Sequence, residues 1–183
     1  AYSPASQIRA RVWTRTQTET VDRDFLARRL DRAIRLRETA SGMPLGAGED
    51  GAARLVHGES DELPGFVVDR YADVLVLQAL SAGAERWKHV LADLLVERTG
   101  LANVYERSDV DVRRLEGLEE KTGPLRGMEP QPLVISEGEG LRFRVDVRGG
   151  QKTGFYIDQR KNRARLGRMA AGRDVLNCFC YTG

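Results

Sequence analysis

Cysteine is nearly absent from this sequence: there are two in 183 residues, Cys178 and Cys180. A pair that close on one predicted strand cannot form a disulfide framework, which excludes a small disulfide-built secreted scaffold and points to a cytoplasmic setting. Without further Cys or His beside it the pair does not make a zinc site either, so no metal is expected. Histidine is as scarce, at two. His57 has neither a Ser/Asp pattern nor metal-ligand spacing around it, so a structural or solvent-facing role is expected rather than catalysis. Long apolar runs are missing too. None approaches the roughly 18 residues needed to cross a membrane. There is no signal-peptide pattern, and the chain begins mid-pattern at Ala1, without Met, as a fragment would.

What remains is a polar chain with enough apolar residues for a core. Hydrophobic residues make up 41% and charged ones 31%, a balance that suits one globular domain or two small ones. The formal net charge is only +2, so no global polycation is implied. The positive side is lopsided, with 25 Arg against 4 Lys. Arginine suits planar, bidentate phosphate contacts and stacking on bases. A GC-rich genome produces the same bias with no functional meaning, and composition leaves both accounts open.

Along the chain, Ile8 to Trp13 alternates apolar with basic residues and reads as a strand with one buried face. Thr20 is the expected N-cap of a first helix, with Asp22 and Asp24 in its first turn. Phe25, Leu26, Leu30, Ala33 and Ile34 then recur at helical spacing up to about Thr39. Gly42 and Pro44 close that helix, and the Gly-rich stretch to Gly51 is a loop without the Lys-Ser/Thr a phosphate cradle needs. Short strands follow at 54–57, 66–69 and 74–80, with Pro64-Gly65 at the centre of a type II turn. Trp87, Val90, Leu91, Leu94 and Leu95 mark the plainest amphipathic helix, ended by Gly100, and Trp87 is expected to anchor the core. A strand at 103–106 leads to Ser108-Asp109-Val110-Asp111, a capping-box variant opening a short helix to about Leu115. Residues 117–132 are polar and turn-rich and make the best internal boundary. The expected centre is an antiparallel sheet with the Trp87 helix on one face.

The last third carries the chemistry. Leu133–Ser136 and Leu141–Val147 read as a hairpin whose apolar side is Leu141, Phe143, Val145 and Val147. Between Arg142 and Arg173 ten Lys or Arg stand against Asp146 and Asp158, a local imbalance that reads as a nucleic-acid footprint. Arg142 and Arg144 lie on the hairpin's outward side. Lys161, Arg165 and Arg168 share one side of a predicted basic helix, where they could follow a phosphate backbone; an ordinary solvated helix face is the competing account. Val175 to Phe179 then reads as a buried strand running into Tyr181-Thr182-Gly183. A strand ending in a Gly-bearing turn is how doubly wound α/β folds meet nucleotide-like cofactors. Burial in that strand would raise the thiol pKa of Cys178 and Cys180 and leave them inert.

The block QKTGFYIDQRKNR (151–163), followed by VLNCFCYTG (175–183), closely resembles the SAM-dependent RNA methyltransferases that carry an N-terminal PUA domain, a central α+β domain and a C-terminal Rossmann-like catalytic domain. Within that family it is most similar to the branch that methylates large-subunit ribosomal RNA at cytosine-5. The resemblance continues through Ala1-Tyr2-Ser3-Pro4, Gly58-Glu59-Ser60-Asp61, Leu63-Pro64-Gly65, Val68-Asp69-Arg70, Leu80 to Glu85 and Arg107-Ser108-Asp109-Val110, and so covers nearly the whole chain. It implies an α/β fold in three parts: the end of a PUA-like domain over 1–17, a central α+β domain over 18–131, and the N-terminal part of a SAM-dependent methyltransferase domain over 132–183.

The implied cofactor is S-adenosyl-L-methionine and the implied partner ribosomal RNA, with no membrane partner and a homodimer left open. By type, Lys152 and Arg160 suit the cofactor's carboxylate, Asp158 its amino group, and Phe155 or Tyr156 its sulfonium, with Thr153 and Gln159 alongside. Asn177, Cys178, Phe179, Tyr181, Thr182 and Gly183 correspond to the family's first cofactor-binding strand and turn. Methylating carbon-5 of cytosine needs a thiolate that adds to carbon-6. Neither Cys178 nor Cys180 matches that residue, which the family takes from a later strand. No catalytic residue is therefore expected within 1–183, and the chain by itself is expected to be inactive. An RNA-binding or scaffolding module without catalytic activity is the competing reading.

Overall fold

The first helix begins where a carboxylate can cap it. In the structure, a computed structural model that describes residues 1–41, 51–138 and 140–178, α1 spans Arg23–Ser41. Asp22 accepts the Phe25 backbone N–H at 2.8 Å, the reach of an N-cap, so the cap is Asp22 and not the exposed Thr20 three residues before the helix. Gly42, Pro44 and the loop to residue 50 lie outside the described residues.

A five-stranded sheet follows. It is built from β1 (Ala52–His57), β2 (Phe66–Tyr71), β3 (Val74–Ala79), β4 (Asn103–Ser108) and β5 (Lys121–Arg126), in spatial order β1-β2-β3-β4-β5. The expected turn at Pro64-Gly65 sets the start of β2. Phe66 N–H reaches Leu63 O at 3.1 Å and Gly65 sits at φ +81°. A Cβ on Gly65 would lie 2.2 Å from the Ser81 hydroxyl, so both backbone and space demand glycine. The β2–β3 hairpin turns through Ala72 and Asp73 with Tyr71 opposite Val74. Its side chains then alternate. Phe66, Val68, Leu75, Leu77 and Ala79 face the helices, while Tyr71, Val74 and Val76 face the other way.

The sheet is mixed, not antiparallel as expected. Helix α2 (Ala82–Thr99) spans the connection from β3 to β4 and returns the chain to pair parallel, Val74 beside Asn103 and Leu77 beside Glu106. Ser81 caps α2 by accepting from Ala84 N–H, and Gly100 ends it in a left-handed turn. Leu91, Leu94 and Leu95 are fully buried against the sheet and α1. Trp87, expected as the anchor, is only half-buried at the margin of that core. The central aromatic is instead Trp13, packed 6.3 Å from Phe25 and edge-on at 6.2 Å to Phe66. Around it the expected strand at 8–13 reduces to one bridge, Tyr2 to Ala10, and Ile8 and Val12 are exposed. That alternation serves to place one large side chain and not to bury a face.

Two further expectations change. Residues 117–132 are not merely a boundary, because β5 lies within them and pairs with β4. As an edge strand that tolerates Pro124 and is largely exposed, β5 has no apolar alternation by which to be recognised. Ser108 does not cap α3 (Val112–Leu115); its hydroxyl accepts the Ala79 N–H at 3.0 Å across the sheet. On the second face of the sheet sits a hairpin, β6 (Leu133–Glu137) and β7 (Leu141–Val145), followed by the 150–159 block and α4 (Arg160–Ala170). Ile135, Val145, Val147 and Phe155 complete a smaller core with Ala52, Tyr71, Val74 and Val76. Phe143 packs against it, and Leu141 stays exposed at the hairpin end.

The helix-facing side also buries charge. Lys88 Nζ lies 3.0 and 2.9 Å from the Glu106 oxygens and 2.9 Å from Glu85. Fully buried Arg113 joins Glu85 at 2.9 Å and donates to two backbone carbonyls, of Ala79 and Glu119. Burial alone would push the Glu85 carboxyl up, but the hydrogen bonds from Lys88 and Arg113 outweigh it and hold it down at about 2.

Replacing Leu91 by Ala should cost about 2–5 kcal/mol in urea unfolding, since a fully buried side chain leaves a cavity the helix cannot collapse into. A cost below about 1 kcal/mol would mean the helix does not rest on that side chain. For Glu85 the folded value lies below the ordinary 4.5, so the unfolded state binds the proton more readily. The stabilisation is complete above pH 4.5 and is lost as pH falls toward 2. Thermal melts of Glu85→Gln should therefore show a flatter acid limb than the parent between those values, and parallel limbs would refute the pairing.

Candidate cofactor and RNA-binding site

Aspartate at the centre of a strand is disfavoured unless its charge is answered. Asp69, in β2, is fully buried, and two side chains from separate parts of the chain answer it. Arg54 of β1 binds both of its oxygens, at 2.8 and 2.9 Å. Thr153 donates its hydroxyl to Asp69 Oδ2 at 2.5 Å. With that proton committed, the Tyr71 phenol has two acceptors within reach, Thr153 Oγ1 at 2.7 Å and Phe155 O at 3.1 Å, and it accepts the Phe155 N–H at 3.2 Å. Burial, then the nearby Asp69 charge, pushes the Tyr71 hydroxyl well above its ordinary value, so it stays protonated and able to donate. The hydrogen bonds that Arg54 makes to Asp69 likewise raise the guanidinium's pKa. A continuous chain thus runs from the 150–155 turn through the sheet to Arg54.

A second tie lies on another strand. Arg107 of β4, itself buried, donates to Val147 O at 2.7 Å and Gly150 O at 3.1 Å, while its Nε meets Asp109 at 3.0 Å. On the far side of the block, Arg163 of α4 forms two bonds to buried Glu137, one at 2.7 Å, and donates to Tyr156 O at 3.0 Å. Its guanidinium lies 4.5 Å from the Phe155 ring centroid and 5.3 Å from that of Phe143.

Between β1 and the block opens a cleft of about 600 Å³, within the size range of ligand sites, lined among others by Arg54, His57, Lys152, Tyr156, Asp158 and Gln159. Of the residues expected at the cofactor, Lys152, Asp158 and Gln159 are exposed in it, and Tyr156 is half-buried with Lys152 Nζ 5.9 Å from its ring centroid. Phe155 is buried and contributes the floor, its ring 5.0 Å from Phe143. Thr153 turns inward, its hydroxyl held between Asp69 and Tyr71. Arg160 reaches Ala52 O, lies 3.6 Å from Glu137, and lines a second cavity of about 370 Å³ between the hairpin turn and α4.

The expected strand at 175–179 is absent over its described part. Residues 174–177 have no regular structure, Val175 and Leu176 are 53% and 87% exposed, and no neighbouring strand is present among the described residues to pair with them. Asn177 and Cys178 are exposed, so the burial expected to make Cys178 inert does not occur. Phe179, Cys180, Tyr181, Thr182 and Gly183 lie outside the described residues. The five basic residues expected at RNA, Arg142, Arg144, Lys161, Arg165 and Arg168, are all exposed. Sequence reasoning does not find Asp69, Tyr71, Glu137 and Arg163 as site residues. The signal for them is charge placed in strand-like segments, which needs a buried partner to be tolerated.

The chain is similar in sequence and in fold to methyltransferases. Residues 124–183 match the family of S-adenosylmethionine-dependent methyltransferases. Over its whole length the chain is 52% identical to Ribosomal RNA large subunit methyltransferase I of Shewanella amazonensis and 49% identical to that of Aliivibrio fischeri, and it spans 45% of each relative. Among solved structures, a candidate SAM-dependent methyltransferase from Streptococcus mutans matches with a TM-score of 0.65 at 19% identity, over 85% of this chain and 38% of that one. SMU.776, a methyltransferase candidate complexed with SAH, matches at 0.64 and 19%, over 82% and 36%. At that identity the likeness concerns the fold. No helix among the described residues is long and apolar enough to cross a membrane.

Arg163→Ala leaves the Glu137 carboxylate buried without its bidentate partner, so it should destabilise the chain by about 3 kcal/mol in chemical denaturation. Arg165→Ala, exposed on the same helix, should cost less than about 0.5 kcal/mol. Equal effects would show that Arg163 is one more solvated arginine.

Proposed function

We propose that the protein carrying this chain is a SAM-dependent ribosomal RNA methyltransferase acting at cytosine-5. Residues 18–131 are its central domain, 132–183 the opening of its methyltransferase domain, and 1–17 the end of a PUA-like domain. The observation that carries the proposal is the 49–52% identity to large-subunit rRNA methyltransferase I over the whole chain. The cleft supports it. Lys152 offers a cation for a carboxylate, Asp158 an anion for an ammonium, and Tyr156 an aromatic face for a sulfonium. Asn177 and Cys178, with Phe179, Tyr181, Thr182 and Gly183, complete the cofactor side in this reading. S-adenosylmethionine supplies the methyl group. The chain's own residues hold and orient the cofactor, and the nucleophilic thiol comes from outside 1–183.

Arg142, Arg144, Lys161, Arg165 and Arg168 form the RNA-facing surface in the same reading, supported by their shared exposure. Cytoplasmic location and homodimer formation belong to it as well. Exposed Leu166, Met169, Val175 and Leu176 favour self-association, which sedimentation would reveal. One observation favours the alternative of a scaffolding module: Thr153 and Phe155, two residues of the block, are spent on binding the sheet.

Two measurements in the full-length protein test the cofactor side and the RNA side of this proposal. Asp158→Ala should weaken SAM binding in calorimetry without changing the melting temperature; unchanged binding favours the scaffold. Arg165→Glu with Arg168→Glu should weaken RNA binding and flatten the dependence of log K on log salt by about 0.7–0.9 for each phosphate no longer neutralised. A slope equal to the parent's would mean that these side chains only solvate the helix.

A further inference from the structure

Lys152 has a backbone φ of +59°, a left-handed conformation that residues with a Cβ rarely adopt and that persists only where the surroundings over-determine it. The surroundings here are on the central sheet. Lys152 is the second residue of a tight turn closed by Gly154 N–H to Gln151 O at 2.9 Å. Before it, Arg107 of β4 holds Gly150 O at 3.1 Å and Val147 O at 2.7 Å. After it, Thr153 is fixed to Asp69 at 2.5 Å and to Tyr71 at 2.7 Å, and Phe155 N–H to Tyr71 at 3.2 Å. Both ends of the turn are clamped by buried groups, and the residue between them is the one whose side chain is exposed in the cleft.

We propose that Asp69, Tyr71 and Arg107 are positioning residues. They hold the Gln151–Gly154 turn in a conformation it would not otherwise keep, and so present the Lys152 ammonium, preformed, to the carboxylate of the bound cofactor. The central sheet is then part of the cofactor site although none of these three side chains need touch the ligand. A long, flexible lysine on a mobile turn would lose much of its binding energy to ordering; a clamped turn removes the backbone share of that cost before the ligand arrives. The inference rests on reading the cleft as the cofactor site, and it adds the reason why Lys152 adopts a conformation suited to glycine.

The test is a double-mutant cycle in the full-length protein, with SAM affinity read by calorimetry and the melting temperature read in parallel. Lys152→Met should bind SAM about tenfold more weakly, the worth of one charge-assisted bond, with an unchanged melting temperature. Tyr71→Phe keeps the ring in the core, removes the hydroxyl, and should weaken SAM by a similar factor. Combining them should add little, because the placement of an absent ammonium cannot matter. A purely structural Tyr71 would give losses that multiply, or a lowered melting temperature with unaltered affinity, and either result overturns the proposal while leaving the cleft reading intact. Normal SAM binding by Lys152→Met overturns the cleft reading itself and this inference with it. Should Tyr71→Phe fail to fold, Arg107→Lys, which keeps a cation but not the two-carbonyl reach, is read in the same cycle with the same outcomes.

Discussion

A carboxylate removed from water must be surrounded by donors, and Asp69 shows how much structure that requirement organises. Its partners come from the edge strand β1 and from a turn 84 residues later in the chain. Leaving Arg54 out strands the buried Asp69 charge, which costs far more than the intact pair contributes. The opposite face of the sheet repeats the logic with Lys88 and Glu106, which tie α2 to β4. Each face therefore carries a buried carboxylate whose charged partner comes from a different element. A register slip of one residue in β2 or β4 would turn these carboxylates to the wrong side and leave their partners bare. We regard the pairs as devices that select one arrangement of strands, more than as sources of net stability.

Much of this is legible from residue patterns where local physics decides. The α2 helix follows from apolar spacing, with Gly100 as its stop, and the β2 entry follows from Pro64-Gly65. Lys88 on the buried face of α2 is not legible, because an ammonium at a core position reads as an interruption until its carboxylate is located on another element. Strand β5 is hidden by exposure and Pro124, and the apolar run from Val175 forms no strand over its described part, because none of the described residues offers it a neighbour to pair with. In the site, motif resemblance locates the 151–160 block but cannot say which way each side chain turns. Thr153 and Lys152 are adjacent in sequence, yet one faces inward to Asp69 and the other outward to the cleft. That division depends on a backbone angle, and the angle depends on strands far away in sequence.

The arginines differ from one another for a related reason. Arg163, Arg165 and Arg168 lie within two turns of one helix and are identical in type. Arg163 pins the hairpin through Glu137 and lies over two aromatic rings, while the other two stand in solvent. A count of basic residues over this stretch overstates the surface available to a polyanion by including those spent on architecture.

The separation of 84 residues between Asp69 and Thr153 also bears on the order in which the molecule assembles. Contacts within β1, β2 and β3 close short loops, whereas the Asp69–Thr153 bond must close a long one, and it can form only after β2 has brought Asp69 and Tyr71 to one face. On a chain emerging from its N-terminal end, the central sheet is complete before the turn that docks on it exists. The sheet then serves as a template on which the later segment acquires its shape. On opening, the same hierarchy runs backwards, with the docked turn released before the strands beneath it. Amide exchange at Phe155, compared with that at Leu77, would register this directly as two separate lifetimes.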